Sequence, residues 1–264
     1  MLIVGAEGFI GSFLSDKFSS TYNIYKITKG SIDVLDVDCV YKFLKENNFD
    51  IILNCLTFGG KQQVNVVDHK ILKDNLTLFN NFLLNSDKFS HFINIGSGSE
   101  FDTSSNINNA LEIDIFNSTP KQSYSFSKNL IARSIFYNNK FTTLRLFGCF
   151  GSHEPDIRLL KKYIVNGSVD IVDRFFDFIS IQDFSAILQY VLGERITSFD
   201  VNCVYDEKIK LSLFLSKYDQ ALNKKSTFNI SGVSDLNYTG DSTKLSSLQL
   251  NLLGLEGSFK KHYG

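Results

Sequence analysis

Tyr124 and Lys128 lie four residues apart, a spacing that in a helix places a phenol beside an ammonium. An unperturbed tyrosine has a pKa of about 10, and a neighbouring ammonium lowers it because it favours the phenolate. Such a tyrosine can give or take a proton near neutral pH while a hydride moves. The spacing alone decides nothing, because the chain repeats it at Tyr22/Lys26, Tyr25/Lys29 and Tyr41/Lys45.

Context separates the Tyr124/Lys128 pair from the other three pairs. The segment that follows "STPKQS" is predicted to be a long helix, so both side chains project from one face. Tyr22 and Tyr25 are predicted to lie on a strand, where residues four apart are not neighbours. The Tyr41 pair is predicted to be helical but far from the carboxyl end of any strand.

Ser97 is the third member of the candidate catalytic set. The stretch "FINIGSGSEF" is predicted to be a strand that runs into a polar loop, which places Ser97 just beyond the strand's carboxyl end. Ligands of open α/β sheets bind at that edge, and a serine there can hydrogen-bond a reacting carbonyl. Singly, the three residues have plainer explanations as a surface tyrosine, a solvated lysine and a turn serine. Their combination with a glycine loop near the N-terminus favours catalysis.

That glycine loop is "GAEGFIG", which directly follows the apolar run "LIV" and opens a predicted helix. Gly5 can make the tight turn, Gly8 lets the backbone approach a pyrophosphate, and Gly11 permits close packing of helix on strand. Phe9 and Ile10 lie at the helix N-terminus, where the pyrophosphate would bind. Three glycines can also be simple turn formers, but the spacing and the preceding strand favour dinucleotide binding.

The end of the second predicted strand bears on the choice of cofactor. An NAD site usually has an acid there for the ribose 2′-hydroxyl, whereas this chain has Thr28 and Lys29 in "YKITKG". Lys29 can neutralise a 2′-phosphate or can be a solvated turn residue. The sequence leaves both open and favours NADP, with NAD as the alternative. Asp36, in "IDVLD", is predicted to reach the adenine end of the cofactor.

The elements that must position these residues alternate along the chain. Strand-like runs such as "DIILNC" are followed by helical patterns such as "HKILKDNLTLFNNFLLN", which predicts βαβ units and a parallel sheet. The predicted fold class is therefore α/β, a doubly wound Rossmann sheet with a small C-terminal substrate lobe. We predict a cofactor domain over 1–147 with a returning segment at about 176–205, and a substrate lobe from 148–175 and 206–264.

Composition excludes several classes of function. The net charge of −1 gives no field that would favour nucleic acid or an anionic membrane, and no apolar run is long enough to span a bilayer. The N-terminus lacks the basic segment of a signal peptide. Cysteines at 39, 55, 149 and 203 are scattered, which favours reduced thiols over disulfides or a metal site. We expect a cytoplasmic protein with no metal.

At this point the chain resembles the extended short-chain dehydrogenase/reductases that act on nucleotide sugars, the NAD-dependent epimerase/dehydratase family. The stretches that carry the resemblance cover nearly the whole chain: "GAEGFIG", "IDVLD", "DNLTLFNN", the serine loop, "YSFSKNL", "LRLFGCFG" and "FDFISIQDF". The resemblance implies catalytic roles for Ser97, Tyr124 and Lys128. It also implies that Phe147 lines the nicotinamide and that the second lobe holds a nucleotide diphosphate-sugar.

Within the family the chain looks most like the GDP-fucose synthases and the dTDP-4-dehydrorhamnose reductases, partly because of the Gly59–Gly60 pair. Two positions depart from the family pattern. Gly148 stands where the family often has asparagine, and Phe176 stands where an arginine for the diphosphate usually lies. Arg174, two residues earlier, is the candidate diphosphate ligand.

Three further residues distinguish the chemistries of the family. The dehydratases of this family carry an Asp-Glu pair directly after the catalytic hydroxyl, and Gly98 and Ser99 stand there in this chain. The fucose synthases pair a cysteine with a loop histidine for epimerisation; this chain has His153 in "GSHEPD" but Ser99 in place of the cysteine. An alkyl hydroxyl is a far poorer base than a thiolate. Ser99 and His153 are therefore predicted to contact substrate without epimerising it.

The resemblance and the residues together predict an NADP-dependent reductase of a nucleotide-linked 4-keto-6-deoxy sugar, in deoxysugar and polysaccharide biosynthesis. The alternatives are an NAD-dependent nucleotide-sugar 4-epimerase and a non-catalytic NADP-sensing protein, against which the intact Ser-Tyr-Lys set argues. The expected partner is a nucleotide diphosphate-sugar, with no nucleic acid and no membrane. The identity of the nucleotide and a homodimeric assembly are left open.

Overall fold

The structure is a computed structural model that describes residues 1–59, 67–225 and 227–264. Gly60, half of the Gly59–Gly60 pair, lies outside the described residues. Backbone contacts group the chain into two compact units. The first unit comprises Met1–Asp102, Ile113–Arg145 and Gly193–Asp200, and the second comprises Thr103–Glu112, Leu146–Leu192 and Val201–Gly264.

Short strands alternate with helices, as predicted. The strands of the described residues are β1 (Leu2–Val4), β2 (Tyr25–Ile27), β3 (Ile51–Asn54), β4 (His91–Ser97), β5 (Ile107–Ala110), β6 (Phe141–Leu146), β7 (Gly148–Phe150), β8 (Ser168–Asp173), β9 (Phe178–Ser180), β10 (Phe199–Cys203), β11 (Thr227–Val233) and β12 (Tyr238–Gly240). The α-helices are α1 (Phe9–Phe18), α2 (Val37–Glu46), α3 (His69–Leu83), α4 (Ser123–Ile135), α5 (Leu159–Asn166), α6 (Ile181–Gly193), α7 (Leu211–Leu222), α8 (Thr243–Ser246) and α9 (Gly254–Tyr263). Tyr22 lies in the turn before β2, so its predicted place on that strand is wrong.

The main sheet has the strand order β10-β6-β4-β3-β1-β2. The pairs β1–β2, β1–β3 and β3–β4 are parallel. The chain order reverses between β1 and β3, which is the topological switch point at which doubly wound sheets bind ligands. This architecture confirms the predicted α/β doubly wound fold. It also places the glycine loop, which follows β1, at the switch point.

Burial explains why these segments become strands and helices. The first six of the seven residues of β4 are buried, as is typical of a parallel strand covered on both faces. In α4 the buried positions Lys128, Ile131, Ala132 and Ile135 recur at helical spacing, so a lysine lies on the apolar face of the helix. The core of the first unit contains Phe79, Phe82, Phe92 and Phe141, whose rings contact one another.

The second unit has two-stranded parallel pairings: β7 with β9, β5 with β12, and β8 with β11. Its core is aromatic, with Phe150, Tyr163, Phe214, Tyr218 and Phe259 all nearly inaccessible. No helix within the described ranges has the length and apolar character needed to cross a bilayer.

The two compact units divide the chain at other residues than the predicted domains do. Residues 103–112 group with the second unit because β5 pairs with β12. Residues 176–192 also group there because β9 pairs with β7, so only 193–200 return to the first unit. The division into a cofactor domain and a substrate lobe concerns ligands and stays a prediction.

Candidate active site

The glycine loop after β1 has the geometry that its sequence predicts. Gly5 has a φ of 82°, and a Cβ there would lie 2.7 Å from the Leu56 nitrogen. A Cβ on Gly11 would lie 2.2 Å from the Gly5 carbonyl oxygen, so α1 packs against the loop too closely for any side chain. Both glycines are therefore required by the fold itself, without reference to a ligand.

Gly8 differs from the other two glycines, because a Cβ there would meet nothing nearer than the Gly5 oxygen at 3.5 Å. Gly8 is the N-cap of α1. No side chain caps this helix, and its first turn contains no acidic residue. The first-turn residues Phe9 and Ile10 are half-buried. An uncapped helix N-terminus with open space in front of it suits a pyrophosphate. These residues thus fit the dinucleotide predicted for them.

At the end of β2 an acid lies beside the predicted lysine. The backbone N–H of Lys29 donates to the Glu7 carboxylate at 3.2 Å, while Thr28 hydrogen-bonds Ser31 through its hydroxyl at 3.0 Å. Lys29 and Glu7 are both exposed. Sequence reasoning missed Glu7 because acids that read the ribose usually follow the second strand rather than lie within the glycine loop. The visible signal was a carboxylate inside "GAEGFIG".

Asp36 has a structural role that can coexist with its predicted contact to adenine. It is the N-cap of α2, and its carboxylate accepts a hydrogen bond from the Cys39 backbone N–H at 2.9 Å. The side chain is exposed, so the cap lies at the protein surface. Its predicted role at the cofactor stays a prediction.

Ser97 ends β4 and begins a 3₁₀ turn over Gly98–Glu100. Its hydroxyl accepts a hydrogen bond from the Ser99 N–H at 3.2 Å and lies 3.0 Å from the Ser99 hydroxyl. The Glu100 carboxylate accepts from the Ser97 backbone N–H at 2.8 Å. This reciprocal arrangement is a capping box. It fixes the backbone and the hydroxyl of Ser97 together.

Lys128 reaches the same strand from α4. Its ammonium donates to the Ile95 carbonyl at 2.7 Å, two residues before Ser97, and the residue is buried. Burial lowers the pKa of Lys128, and the nearby Glu100 carboxylate opposes that shift. Tyr124, one helical turn earlier, is half-buried. The structure therefore brings Lys128 to the end of β4 that carries Ser97, with Tyr124 on the same helix.

Two asparagines that sequence reasoning missed hold this helix in place. Asn75, on α3, donates to the Ser127 hydroxyl at 3.0 Å and accepts from the Phe58 N–H at 2.8 Å. Asn129 donates to the Glu100 carbonyl at 2.8 Å. The signal for Asn75 was its helical phase, because it lies on the same apolar face as Leu78, Phe79 and Phe82.

The other predicted site residues lie in the second unit. Phe147 is buried, and its ring centroid is 5.0 Å from that of Tyr238. His153 is exposed in a turn with a φ of 68°. The Arg174 guanidinium lies 5.5 Å from the Phe176 ring centroid and donates to the Leu236 carbonyl at 3.3 Å. Their contacts with cofactor or substrate stay predictions.

The two departures from the family pattern are neighbours. A Cβ on Gly148 would lie 2.8 Å from ring atoms of both Phe176 and Phe178 and 2.9 Å from the Asp177 carbonyl oxygen. The Phe176 ring is itself packed on Phe178 and Tyr238, at centroid distances of 4.9 and 4.8 Å. Phe176 thus occupies the space that an asparagine at position 148 would need, so the two replacements are sterically compatible with each other.

A cavity of about 530 Å³ lies within the second unit. Aromatic rings and charged side chains line it together, among them Phe150, Phe176, Phe178, Glu154, Arg158 and Arg174. Burial raises the pKa of Glu154 to about 7. The volume falls in the range of small-molecule sites, which is roughly 300–1,000 Å³. The lining combines stacking surfaces with guanidinium groups, which together suit an anionic aromatic ligand.

Solved structures of similar fold cover nearly the entire chain. The GDP-mannoheptose C4 reductase of Campylobacter jejuni with NADP bound is 19% identical, with a TM-score of 0.79 over 99% of this chain and 96% of that one. A GDP-L-fucose synthetase of Naegleria fowleri bound to NADP is 14% identical, with a TM-score of 0.76 over 98% and 91%. A hypothetical dTDP-4-dehydrorhamnose reductase of Sulfolobus tokodaii is 18% identical, with a TM-score of 0.77 over 97% and 98%. At these identities the likeness shows the fold.

No curated protein sequence matches the chain. A family model does match it, the one described as "NAD dependent epimerase/dehydratase family", over residues 1–190. That range contains the glycine loop, Ser97 and the Tyr124–Lys128 helix. The resemblance seen in the sequence is thus confirmed, and the chain belongs to the NAD-dependent epimerase/dehydratase family of extended short-chain dehydrogenase/reductases.

Proposed function

We propose that the protein is an NADP-dependent reductase of a nucleotide-linked 4-keto-6-deoxy sugar. The observation that carries the proposal is the Lys128 ammonium hydrogen-bonded to Ile95, at the end of β4 that carries Ser97 and one turn from Tyr124. Proteins of the same fold include a GDP-mannoheptose C4 reductase with NADP bound and a GDP-L-fucose synthetase bound to NADP. Their chemistry supports reduction at C4 of a sugar nucleotide.

Each member of the Ser-Tyr-Lys set has a separate task in this reaction. NADPH supplies the hydride when it is bound. Tyr124 gives its phenolic proton to the keto oxygen, which would otherwise become an alkoxide. Lys128 stabilises the resulting phenolate and hydrogen-bonds the cofactor ribose. Ser97 donates a hydrogen bond to the same keto oxygen and so orients the carbonyl.

The nucleotide diphosphate is assigned to the cavity of the second unit. Arg158 and Arg174 supply guanidinium groups that can pair with phosphate oxygens. The Phe150, Phe176 and Phe178 rings supply stacking surfaces for a base. This assignment makes Arg174 the diphosphate ligand in place of the arginine that Phe176 replaces.

Gly98 and Ser99, which directly follow Ser97, restrict the proposed chemistry to reduction. Ser99 has an alkyl hydroxyl at the position where fucose synthases have a cysteine, and it lies 3.0 Å from the Ser97 hydroxyl. With no thiol at that position, Ser99 is a poor base for a proton on C3 or C5. Gly98 and Ser99 also lack the carboxylates that a dehydratase needs. We therefore propose reduction without epimerisation or loss of water.

The test is to mix the purified protein with NADPH and a panel of GDP-, dTDP-, CDP- and UDP-linked 4-keto-6-deoxy sugars in deuterated water. We expect NADPH oxidation with at least one substrate and a 4-hydroxy product with no solvent deuterium at C3 or C5. Mass spectrometry and NMR of the product read both results. No oxidation with any member would refute the reductase, and deuterium at C3 or C5 above an enzyme-free control would refute its restriction to reduction.

One observation favours a second candidate, an NAD-dependent nucleotide-sugar 4-epimerase. The Glu7 carboxylate accepts a hydrogen bond from the Lys29 N–H, so it lies at the end of β2, where the ribose 2′ position is expected. A carboxylate there can accept from a 2′-hydroxyl and repels a 2′-phosphate. Epimerases keep their cofactor bound through the reaction. Tightly bound NAD⁺ in the purified protein would favour this candidate, and protein free of nucleotide would argue against it.

A further inference from the structure

A cluster of buried charges lies behind the end of β4. Glu100 and Arg145 have no accessible surface, and Asp200 is only 4% exposed. The Arg145 guanidinium donates to Glu100 through Nε at 2.6 Å and to Asp200 at 2.6 and 3.1 Å. Two carboxylates on one guanidinium leave this triad with one excess negative charge.

The contacts of Glu100 are those of an ionised carboxylate. Its Oε1 accepts from the Ser97 N–H and its Oε2 accepts from Arg145, so both oxygens face N–H donors. A protonated acid would have to donate from one of these oxygens. Burial and, to a lesser degree, the Asp200 charge raise the pKa of Glu100, and the Arg145 charge and the Ser97 N–H oppose that shift.

Lys128 supplies the positive charge that balances the triad. Its ammonium is buried and donates a hydrogen bond to a neutral group, the Ile95 carbonyl. A buried ammonium without a counter-charge loses its proton. Burial raises the pKa of the nearby Cys55 thiol to about 12, so at neutral pH that group is neutral and balances nothing. Glu100 is the carboxylate whose charge favours the ammonium of Lys128.

Strand β4 is shaped to admit the Glu100 carboxylate. A Cβ on Gly96 would lie 2.8 Å from Glu100 Oε1 and 3.2 Å from the Arg145 Cα. The glycine therefore leaves room for the carboxylate against the strand. It lies between Ile95, which accepts from Lys128, and Ser97, which donates to Glu100. The backbone carbonyl of Glu100 accepts a hydrogen bond from Asn129, the neighbour of Lys128 on α4.

We propose that Glu100 is a positioning residue for the Ser97–Tyr124–Lys128 set, which holds the Ser97 backbone and supplies the counter-charge that keeps Lys128 an ammonium. This role rests on the proposed function, because only a hydride-transfer reaction gives the Lys128 charge its task. A neutral lysine could neither stabilise the Tyr124 phenolate nor keep a charge beside the cofactor ribose. Arg145 then serves to hold Glu100 ionised and in place, and Asp200 holds the Arg145 guanidinium from its other side.

The test compares two amide substitutions in the same triad, Glu100→Gln and Asp200→Asn. Each removes one negative charge from the partners of Arg145, but only Glu100 bonds the Ser97 N–H and favours the charged form of Lys128. The readout is the titration of Lys128, followed by NMR of ¹³C-labelled lysine ε-carbons and assigned by comparison with Lys128→Met. We expect Glu100→Gln to lower the pKa of Lys128 by about one unit or more, and Asp200→Asn to lower it less.

Activity provides a second readout. At neutral pH, kcat/KM of Glu100→Gln is expected to fall about tenfold or more. The alkaline limb of the pH profile of kcat/KM should shift together with the titration of Lys128. Equal Lys128 titrations in wild type and Glu100→Gln would overturn the proposal, as would equal shifts in both amide variants. Should Glu100→Gln not fold, the wild-type titration decides, because a Lys128 that is mainly neutral at pH 7.5 also overturns it.

The titration is independent of any substrate. A protein that reduces no nucleotide sugar, yet shows the Glu100-dependent shift of Lys128, would refute the proposed function and retain the charge coupling. A protein that reduces a nucleotide sugar but shows no such shift would retain the function and refute the role of Glu100.

Discussion

At the scale of single residues, the site depends on a lysine placed where lysines are rarely found. Lys128 lies on the apolar face of α4 with Ile131, Ala132 and Ile135, and its ammonium hydrogen-bonds a strand carbonyl. Burying an ammonium costs free energy unless charge and hydrogen bonds compensate it. Such a residue is retained for what its charge does, which agrees with a role in proton transfer.

Tyr124→Phe removes the phenolic hydroxyl and keeps the ring. We expect turnover to fall on the order of a hundredfold or more, while NADPH still binds, because the ring and Lys128 remain. Initial rates and a fluorescence titration with NADPH measure the two effects.

The matched control for this variant is Tyr41→Phe. Tyr41 has the same spacing to a lysine, Lys45, but is exposed on α2. Its turnover should stay close to that of wild type. Near-wild-type turnover of Tyr124→Phe would show that another group delivers the proton.

Lys29→Ala and Glu7→Gln should move cofactor preference in opposite directions. Lys29→Ala should weaken the binding of NADPH about tenfold more than the binding of NADH. The reason is that charge-assisted hydrogen bonds contribute about 1.5–3 kcal/mol and only NADPH has the 2′-phosphate. Glu7→Gln should strengthen the binding of NADPH more than that of NADH, because it removes a carboxylate that repels the 2′-phosphate. Dissociation constants of both cofactors for each variant test this. Equal changes for the two cofactors would assign these residues a purely structural role.

At the scale of elements, helix α4 is anchored by side chains at three consecutive positions. Ser127 accepts from Asn75 on α3, Lys128 donates to Ile95 on β4, and Asn129 donates to Glu100 and Ile115. These bonds fix the rotation of the helix about its axis. The direction in which Tyr124 projects is thereby set by Lys128 together with Ser127 and Asn129, which lie outside the proposed catalytic set.

The close packing of β7 on β9 predicts a stability effect. Gly148→Ala places a methyl group within 3 Å of the Phe176 and Phe178 rings and the Asp177 carbonyl oxygen. We expect the free energy of unfolding to fall by about 1–3 kcal/mol, as in other overpacked cores. Urea denaturation measures the change.

Gly232→Ala is the matched control, because Gly232 also lies in a strand of the second unit and its Cβ would meet no atom within 4 Å. Its stability should stay within about 0.5 kcal/mol of wild type. Equal free energies of unfolding for the two variants would show that β7 shifts to accommodate the added methyl group.

These elements show which parts of the site the sequence could reveal. The glycine loop, Ser97 and the Tyr124–Lys128 helix were predictable because each depends on residues that are close in sequence. Glu100 could be suspected from the local S-x-x-E pattern, but its partner Arg145 lies 45 residues away. Glu7 and Asn75 escaped notice for the same reason, since their partners are 22 and 17 residues distant. Local patterns do not record such pairs.

At the scale of the whole molecule, a buried histidine predicts how stability changes with acid. His91 begins β4, its Nε2 lies 2.8 Å from the Thr142 hydroxyl, and burial lowers its pKa from 6.5 to about 4. Between pH 6.5 and 4 the unfolded chain therefore binds a proton that the folded chain does not. The contribution of His91 to the free energy of unfolding should therefore fall as the pH falls through this window, by at most about 1.4 kcal/mol per pH unit.

The measurement is denaturant unfolding across that pH window for wild type and His91→Gln. Burial raises the pKa of Asp177 to about 6 and that of Glu154 to about 7, so these acids act in the opposite direction and only the difference between the two proteins isolates His91. The variant should lose stability less steeply than wild type on acidification. The exposed His69, changed to Gln, is the control and should follow wild type. Parallel curves for wild type and His91→Gln would contradict the assignment.

The return of the chain to the main sheet at β10 has a consequence for protein synthesis. Arg145 and its partner Asp200 are 55 residues apart, and at roughly 5–20 residues per second the ribosome makes Asp200 roughly 3–11 s after Arg145. During that interval β6, whose six residues are all buried in the finished sheet, is an open edge, and its Arg145 guanidinium has Glu100 but not Asp200 as a partner. Open edges template pairing with other chains. The nascent protein therefore has a sheet edge that is open to pairing with other chains, and that a chaperone can protect, until β10 pairs with β6.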